Sequence, residues 1–444
     1  MKLVNIHKLA TILILLTTLG SLNAQEVWTL NQCIDSALVY NKNLQMGRNN
    51  IAIGEQRHKE ATASLIPKIT VNADYKYFSE LPHQLMPLSA FNPAAPEWKF
   101  QEVQFGVPHN INANIMLSMP LYNPQVYGAI SATGTARELT ELQYLKTEEQ
   151  VYQEITTIYY NARILHHQLT FIDSNLVNTR KLLKSTELLH AQLLAKSTDV
   201  NKVKLQEEQL KTMRETVSSK SDLALSALKL AVGLPPDKEI AIDPEIRFEL
   251  LPEYQVSPTL DFRIAGLQRT LLQSELKTLN RTRFLPSVGL VASYGTTGFG
   301  YDKKPNEFLD FYEVSFAGIQ LNYPLFNGLV THRKVKQKKI ELSNNELQTS
   351  LIADRDRSQI ENARQQQSVA RKSVSDSDEQ IKLAQAIYDQ TILQQKQGIA
   401  SLTDVLLADN ALMQAQQNYL TSVTDYLKAD LELRKLTGNM TTKK

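Results

Sequence analysis

From Gly328 to Leu436 the chain carries no proline, and Gly398 is the only glycine inside the run. From Leu402 onward, apolar residues return every seventh position at Val405, Leu412, Tyr419, Tyr426 and Leu433. A second row lies one residue along, at Leu406, Met413, Leu420 and Leu427. Heptad spacing keeps a helical stripe against a partner, and two adjacent stripes imply partners on two sides. Before Gly398 the arm is more polar, with a sparse stripe through Val335, Leu342, Ala363, Ala370, Val374, Ile381, Ala384 and Tyr388. An arm of about 68 residues at 1.5 Å each would reach roughly 100 Å, a span that a globular domain does not need.

The same grammar occurs twice. Leu65 to Tyr75 aligns with Phe284 to Tyr294, Met119 to Asn123 with Tyr323 to Asn327, Thr198-Asp199-Val200 with Thr403-Asp404-Val405, and Gly233 with Gly438. The later matches lie near 205 residues apart. Each copy reads as a helix, a proline, a strand, a loop, a second strand ending at proline, and two long helices; prolines suit helix stops and strand ends. The expected layout is therefore a signal segment 1–24, repeat 1 over 25–236, a linker 237–256, repeat 2 over 257–438 and a tail 439–444. Strands are expected at about 67–79, 109–120, 286–297 and 311–323. Long helices are expected at about 126–195, 198–233, 328–397 and 401–436.

The strands alternate strictly. Ile69, Val71, Ala73, Tyr75 and Tyr77 interleave with Lys68, Thr70, Asn72, Asp74 and Lys76. Ile111, Ala113, Ile115, Leu117 and Met119 interleave with Asn110, Asn112, Asn114 and Ser118. Ten such residues match a tilted membrane strand, apolar toward lipid and polar toward a lumen. A soluble sheet with one wet face alternates in the same way, but strand length and export favour the membrane. Val288 to Tyr294 keeps the pattern except at Val291. In the fourth strand Val314 and Phe316 share one parity and Ile319, Leu321 and Tyr323 the other, which predicts a bulge at Ala317-Gly318. The proline-bearing loop from Leu81 to Pro108 is expected to be irregular, and its counterpart, about Thr297 to Asp310, shorter.

Composition narrows the classes. Lys2, Lys8 and the apolar Leu9 to Leu19, before Leu22-Asn23-Ala24, make a secretory signal. Cys33 is the only cysteine, so there is no intrachain disulfide; it reads as a buried small apolar group. Leu30-Asn31-Gln32 before it does not resemble a lipid-attachment site. Basic and acidic residues number 48 and 46, without a basic patch with interleaved aromatics, which gives nucleic-acid binding no support. Internal apolar runs are too short for membrane-spanning helices. No nucleophile elbow, phosphate loop or zinc-spaced cluster occurs, so neither catalysis nor a cofactor is expected. Adjacent His166 and His167 point apart on a helix and make no metal site. The basic run His332 to Lys339 follows the fourth strand, either as a wet helix face or as the rim of a barrel.

Four strands cannot close a membrane barrel, since the smallest use eight, and open edges are not tolerated in lipid. Chains must pool strands: two would give eight and three twelve. The fold class is thus an α+β membrane protein with an internal tandem repeat. Its long helices form a shared helical barrel, and four strands per chain contribute to a common transmembrane β-barrel.

Trp28 to Leu38 with Asn43-Leu44, the Leu-Pro strand starts at Pro67 and Pro286, Pro324 to Gly328, and Gly398 to Leu406 together resemble the TolC family of outer membrane efflux proteins. The resemblance implies a homotrimer in outer-membrane lipid, with a twelve-stranded barrel, a periplasmic helical tunnel, and an adaptor and inner-membrane pump as partners. It also implies acidic rings narrowing the tip. Asp404 matches such a position and Asp199 its counterpart, whereas Leu407 stands where a second aspartate is expected, so no double ring carries over. Each tip residue has a plainer reading. Asp404 follows Ser401 at capping-box spacing, and Asp199 follows Ser197 and Thr198. Gly398 either stops a helix or acts as a hinge. Lys196, Thr198, Ser401 and Thr403 flank the turns as adaptor contacts or as solvated surface. The competing reading is a periplasmic coiled-coil adaptor without a barrel, which would carry one helical hairpin rather than two.

Overall fold

The computed structural model describes residues 27–245 and 254–440. The expected signal segment at 1–24, part of the linker and the last residues of the tail lie outside the described residues. In chain order the elements are β1 (Val27–Trp28), α1 (Leu30–Tyr40), α2 (Lys42–Ala63), β2 (Lys68–Tyr77), β3 (His83–Pro87), β4 (Phe100–Gln104) and β5 (His109–Tyr122). Then follow α3 (Pro124–Ala191), α4 (Ser197–Val232), β6 (Ala241–Ile242), α5 (Leu260–Phe284), β7 (Ser287–Tyr301), β8 (Phe308–Asn322), α6 (Val330–Lys396) and α7 (Leu402–Leu436). No helix among the described residues is long and apolar enough to cross a membrane.

The chain forms two compact units, and each draws on both halves of the sequence. One comprises residues 1–50, 141–264 and 349–444, and its described residues are almost wholly helical. A core of Cys33, Ala37, Leu44, Ile155, Tyr159 and Leu228 packs α1 and the start of α2 against α3 and α4. Burial removes the Cys33 thiol from water and pushes its pKa up to about 11. The Tyr159 hydroxyl donates to the Trp28 carbonyl at 2.9 Å, tying α3 to the short parallel pair β1–β6. Nearer the helix turns, Leu182, Val203, Tyr388, Val405, Ala408 and Leu412 make a second core from α3, α4, α6 and α7. The sparse stripe of α6 is its buried side, with Ala363, Ala370, Ala384 and Tyr388 inside. Of the two stripes on α7, Val405, Leu412, Leu420 and Leu433 are buried and the other members half-buried.

The second unit, residues 51–140 and 265–348, holds the main sheet. Its four strands lie in the order β2-β5-β7-β8, all antiparallel, with β2 and β8 at free edges. Cross-strand partners share a face, so the register defines both faces. One carries the rows Ile69–Leu117–Ala292–Ala317, Val71–Ile115–Tyr294–Ser315 and Met119–Leu290–Ile319. The other carries Asn72–Asn114–Gly295–Val314 and Asp74–Asn112–Thr297–Tyr312. There Asn72 donates to Asn114 at 3.1 Å and Asn112 to Asp74 at 3.3 Å.

Three local expectations are corrected. No bulge interrupts β8 at Ala317-Gly318, because its ladder with β7 is continuous from Phe308 to Asn322. Val314 and Phe316 therefore stay on the polar face, opposite the small Gly295 and Ser293, while Glu313 lies on the apolar face opposite Thr296. The register shift falls instead between Pro120 and Tyr122 of β5, where proline has no N–H to give the ladder. The second loop is shorter than the expected 297–310, since β7 and β8 run on to Tyr301 and Phe308. The loop from 81 to 108 is not irregular throughout: β3 and β4 pair as a hairpin, with Pro87 confined to its end.

A Cβ at Gly295 would stand 2.3 Å from the Ala113 carbonyl oxygen and 2.7 Å from the Asn114 Cα. Backbone cannot swing aside as a side chain can. Gly295→Ala should destabilise the β5–β7 pairing by about 1–3 kcal/mol, seen as a lower thermal midpoint of the strand signal in detergent. An unchanged midpoint would contradict this register.

Candidate functional site at the helix turns

The turns between α3 and α4 and between α6 and α7 carry the residues singled out by sequence, and they share one hydrogen-bond scheme. Gly398 N–H donates to Gln395 O at 3.0 Å and Ile399 N–H to Gln394 O at 2.9 Å. Exactly 205 residues earlier in the numbering, Leu193 N–H donates to His190 O at 2.9 Å and Leu194 N–H to Leu189 O at 2.8 Å. This is the Schellman closure, which needs a left-handed residue just past the helix. Gly398 supplies it at φ +75°, and Leu193 at φ +66°. The ends of α4 and α7 repeat the scheme at Gly233 and Gly438, with bonds to Leu230 and Lys229 and to Lys435 and Arg434.

The starts of α4 and α7 differ in chemistry. Ser401 caps α7: its Oγ accepts from Asp404 N–H at 3.2 Å, and Asp404 Oδ2 accepts from Ser401 N–H at 2.8 Å and from its Oγ at 2.7 Å. These bonds favour the ionised carboxylate and hold Asp404 below the usual aspartate range. The cap's contribution is therefore present above that range and is lost only as pH falls through the lowered pKa. In α4 the capping position is Lys196, which has no side-chain acceptor, and Asp199 reaches back to the Lys196 N–H at 3.4 Å. Ser197 and Thr198 lie inside the helix rather than capping it. Asp199 is half-buried, 3.8 Å from Lys202, whereas Asp404, Thr198, Thr403 and Lys196 are exposed. Leu407 is 63% exposed.

Sequence reasoning missed the polar group behind these turns. Asp409 lies at helical spacing between Val405 and Leu412, inside the stripe, and is buried with Gln206 of α4 donating to its Oδ2. Stepping four residues from Val405 would have found it. The ring nitrogen of His167 donates to the Pro244 carbonyl at 2.8 Å. Among the described residues no cluster of His, Cys, Asp and Glu has the arrangement of a metal site.

The arrangement of long helix pairs with a four-stranded sheet is similar in fold to solved outer-membrane proteins. It matches VceC of Vibrio cholerae, an outer membrane protein, with a TM-score of 0.73 at 16% identity, over 92% of this chain and 96% of that one. It matches the Campylobacter jejuni CmeC outer membrane channel with a TM-score of 0.73 at 14% identity, over 92% and 85%. The family model "Outer membrane efflux protein" matches residues 265–439. The outer membrane efflux protein BepC of Brucella suis biovar 1 (strain 1330) is 30% identical over 159 residues, 35% of this chain and 34% of that protein; the chain thus spans about a third of the length of this relative. Over residues 265–439 the chain is thus similar to outer membrane efflux proteins.

The two turns predict opposite responses to repair. Leu193→Gly should relieve the left-handed strain by about 1 kcal/mol, and Lys196→Ser should add a cap worth about 1 kcal/mol. Each should slow amide exchange at the α3–α4 turn roughly fivefold. The reciprocal Gly398→Leu should speed exchange at the α6–α7 turn. No change in either turn would refute the strain assigned to Leu193.

Proposed function

We propose that three copies of this chain form an outer-membrane channel that serves as the exit duct of a tripartite exporter. The observation that carries the reading is the main sheet, with one apolar face, one polar face and two free edges. In hydrocarbon each unpaired edge N–H and C=O costs several kcal/mol. Pairing β8 of one copy with β2 of the next removes every edge, and three copies give twelve strands. The apolar rows then meet lipid, and the asparagine-rich face lines a wet lumen.

The helices continue this duct into the periplasm as a shared helical barrel. Its turn end is the closed tip, where Asp199 and Asp404 from each copy narrow the passage. With Leu407 in place of a second acid, the constriction is a looser filter for cations than a double ring. Lys196, Thr198, Gly398, Ser401 and Thr403 form the surface that meets the periplasmic adaptor, which in turn couples the duct to an inner-membrane pump. Movement through the channel is passive; the pump supplies the work.

Membrane fractionation and planar-bilayer recording test the reading together. The protein should stay with the outer membrane after carbonate washing, have a native mass of three chains in detergent, and conduct ions in a planar bilayer. Release by carbonate as a soluble species, or a purified assembly that never conducts, would overturn it.

A further inference from the structure

Two aspartates of α7 are buried, and they are treated differently. Asp430 has a cation and two further donors: Arg434 at 2.8 Å, Tyr254 at 2.9 Å and Gln367 at 2.7 Å. Asp409, 3% exposed, has Gln206 alone on Oδ2, and its Oδ1 has no hydrogen-bond partner. A buried carboxylate without a cation is strongly disfavoured as an anion. We propose that Asp409 is a proton-binding site that clasps α4 to α7: neutral, it packs against Gln206; ionised, it loosens that contact and lets the two helix pairs part at their turn end. The proposal rests on the channel reading, because it assigns the parting helices to the closed tip.

The groups around Asp409 leave it without a compensating charge. From α6 the facing titratable group is Tyr388, whose phenol burial and the neighbouring carboxylates Asp409 and Asp389 push up to about 12. Between α3 and α4 in this stretch, Glu187 pairs with Lys204 at 3.3 Å and Arg180 with Glu207 at 3.1 Å. Leu182 and Val203 complete the apolar wall. On α7 itself Asp404 is held in its cap. Desolvation pushes the Asp409 carboxyl up to about 6, opposed by the Gln206 bond. The packed state therefore binds more protons than the loosened one between about pH 4 and 6. Its advantage falls as pH rises through that window, by on the order of a hundredfold in the packed-to-loosened ratio.

Spin labels at Asn201→Cys on α4 and Asn410→Cys on α7, both exposed positions, report the separation in the full-length assembly. Cys33 stays silent because it is buried. Between pH 4 and pH 8 the distances should lengthen with a midpoint near 6. Asp409→Asn should hold the short distance at all pH values, and Gln206→Leu, which removes the remaining donor, should move the midpoint upward. Distances that do not change in the unsubstituted assembly, a persisting response in Asp409→Asn, or an unmoved midpoint in Gln206→Leu would overturn the clasp. If Asp409→Asn fails to assemble, the Gln206→Leu midpoint decides. A lost response in assemblies that still conduct sinks the clasp alone, whereas a pH-dependent distance in assemblies that never conduct sinks the channel reading alone.

Discussion

Backbone hydrogen bonding governs this chain more than any side-chain contact. A strand in hydrocarbon has no water to satisfy its edge, so on the proposed channel reading a four-stranded sheet with free β2 and β8 is unfinished by itself. The polarity of the sheet fits that constraint. Its apolar rows run across all four strands, while Asn72, Asn114, Asp74 and Asn112 bond to one another on the opposite face. Helices obey the same rule internally and need no partner for their backbones. Partners are required instead for their apolar stripes, and α7, with its two rows, has neighbours on two sides.

The two helix turns share backbone geometry while the residues that build it differ. The turn after α3 and the turn after α6 close with the same two hydrogen bonds, yet one uses Leu193 and the other Gly398 in the left-handed conformation. Likewise Ser401 builds a full capping box with Asp404, whereas Lys196 leaves Asp199 to satisfy one backbone N–H at longer range. The first turn is therefore the more strained and less well capped of the pair. Any motion that opens the turn end meets less resistance there, because fewer favourable terms are lost.

Periodicity made most of this fold legible in sequence. The alternating strands, the heptad stripes and the proline and glycine punctuation all reflect local rules that act within a few residues. Failures came where the answer depended on a neighbour elsewhere in the chain. The parity change at Val314 and Phe316 reads as a bulge until the partners, Gly295 and Ser293, prove small enough to receive them on the polar face. Leu193 gave no sign of a left-handed turn, since its conformation is imposed by the helix end and not by its own preference. At the start of α7, Asp404 and Ser401 announced their cap by spacing alone. Asp409 did not stand out, because an acid inside an apolar stripe is read as a gap in the stripe.

Buried polar pairs between helices commonly fix register at some cost in stability. The α3–α7 interface has such a pair, Asn175 donating to Gln416 at 2.9 Å, and neither member titrates. An amide at position 409 would serve register equally well opposite Gln206, and it would carry no charge to desolvate. The acid instead leaves Oδ1 without a partner. Register alone thus accounts for Asn175 but not for Asp409. What an aspartate adds there is the ability to exist in two charge states, only one of which suits its surroundings. A site that penalises its own ionised form makes helix packing answer to proton concentration, and Asp409 occupies the contact between the two halves of the chain, where such an answer reaches both helix pairs.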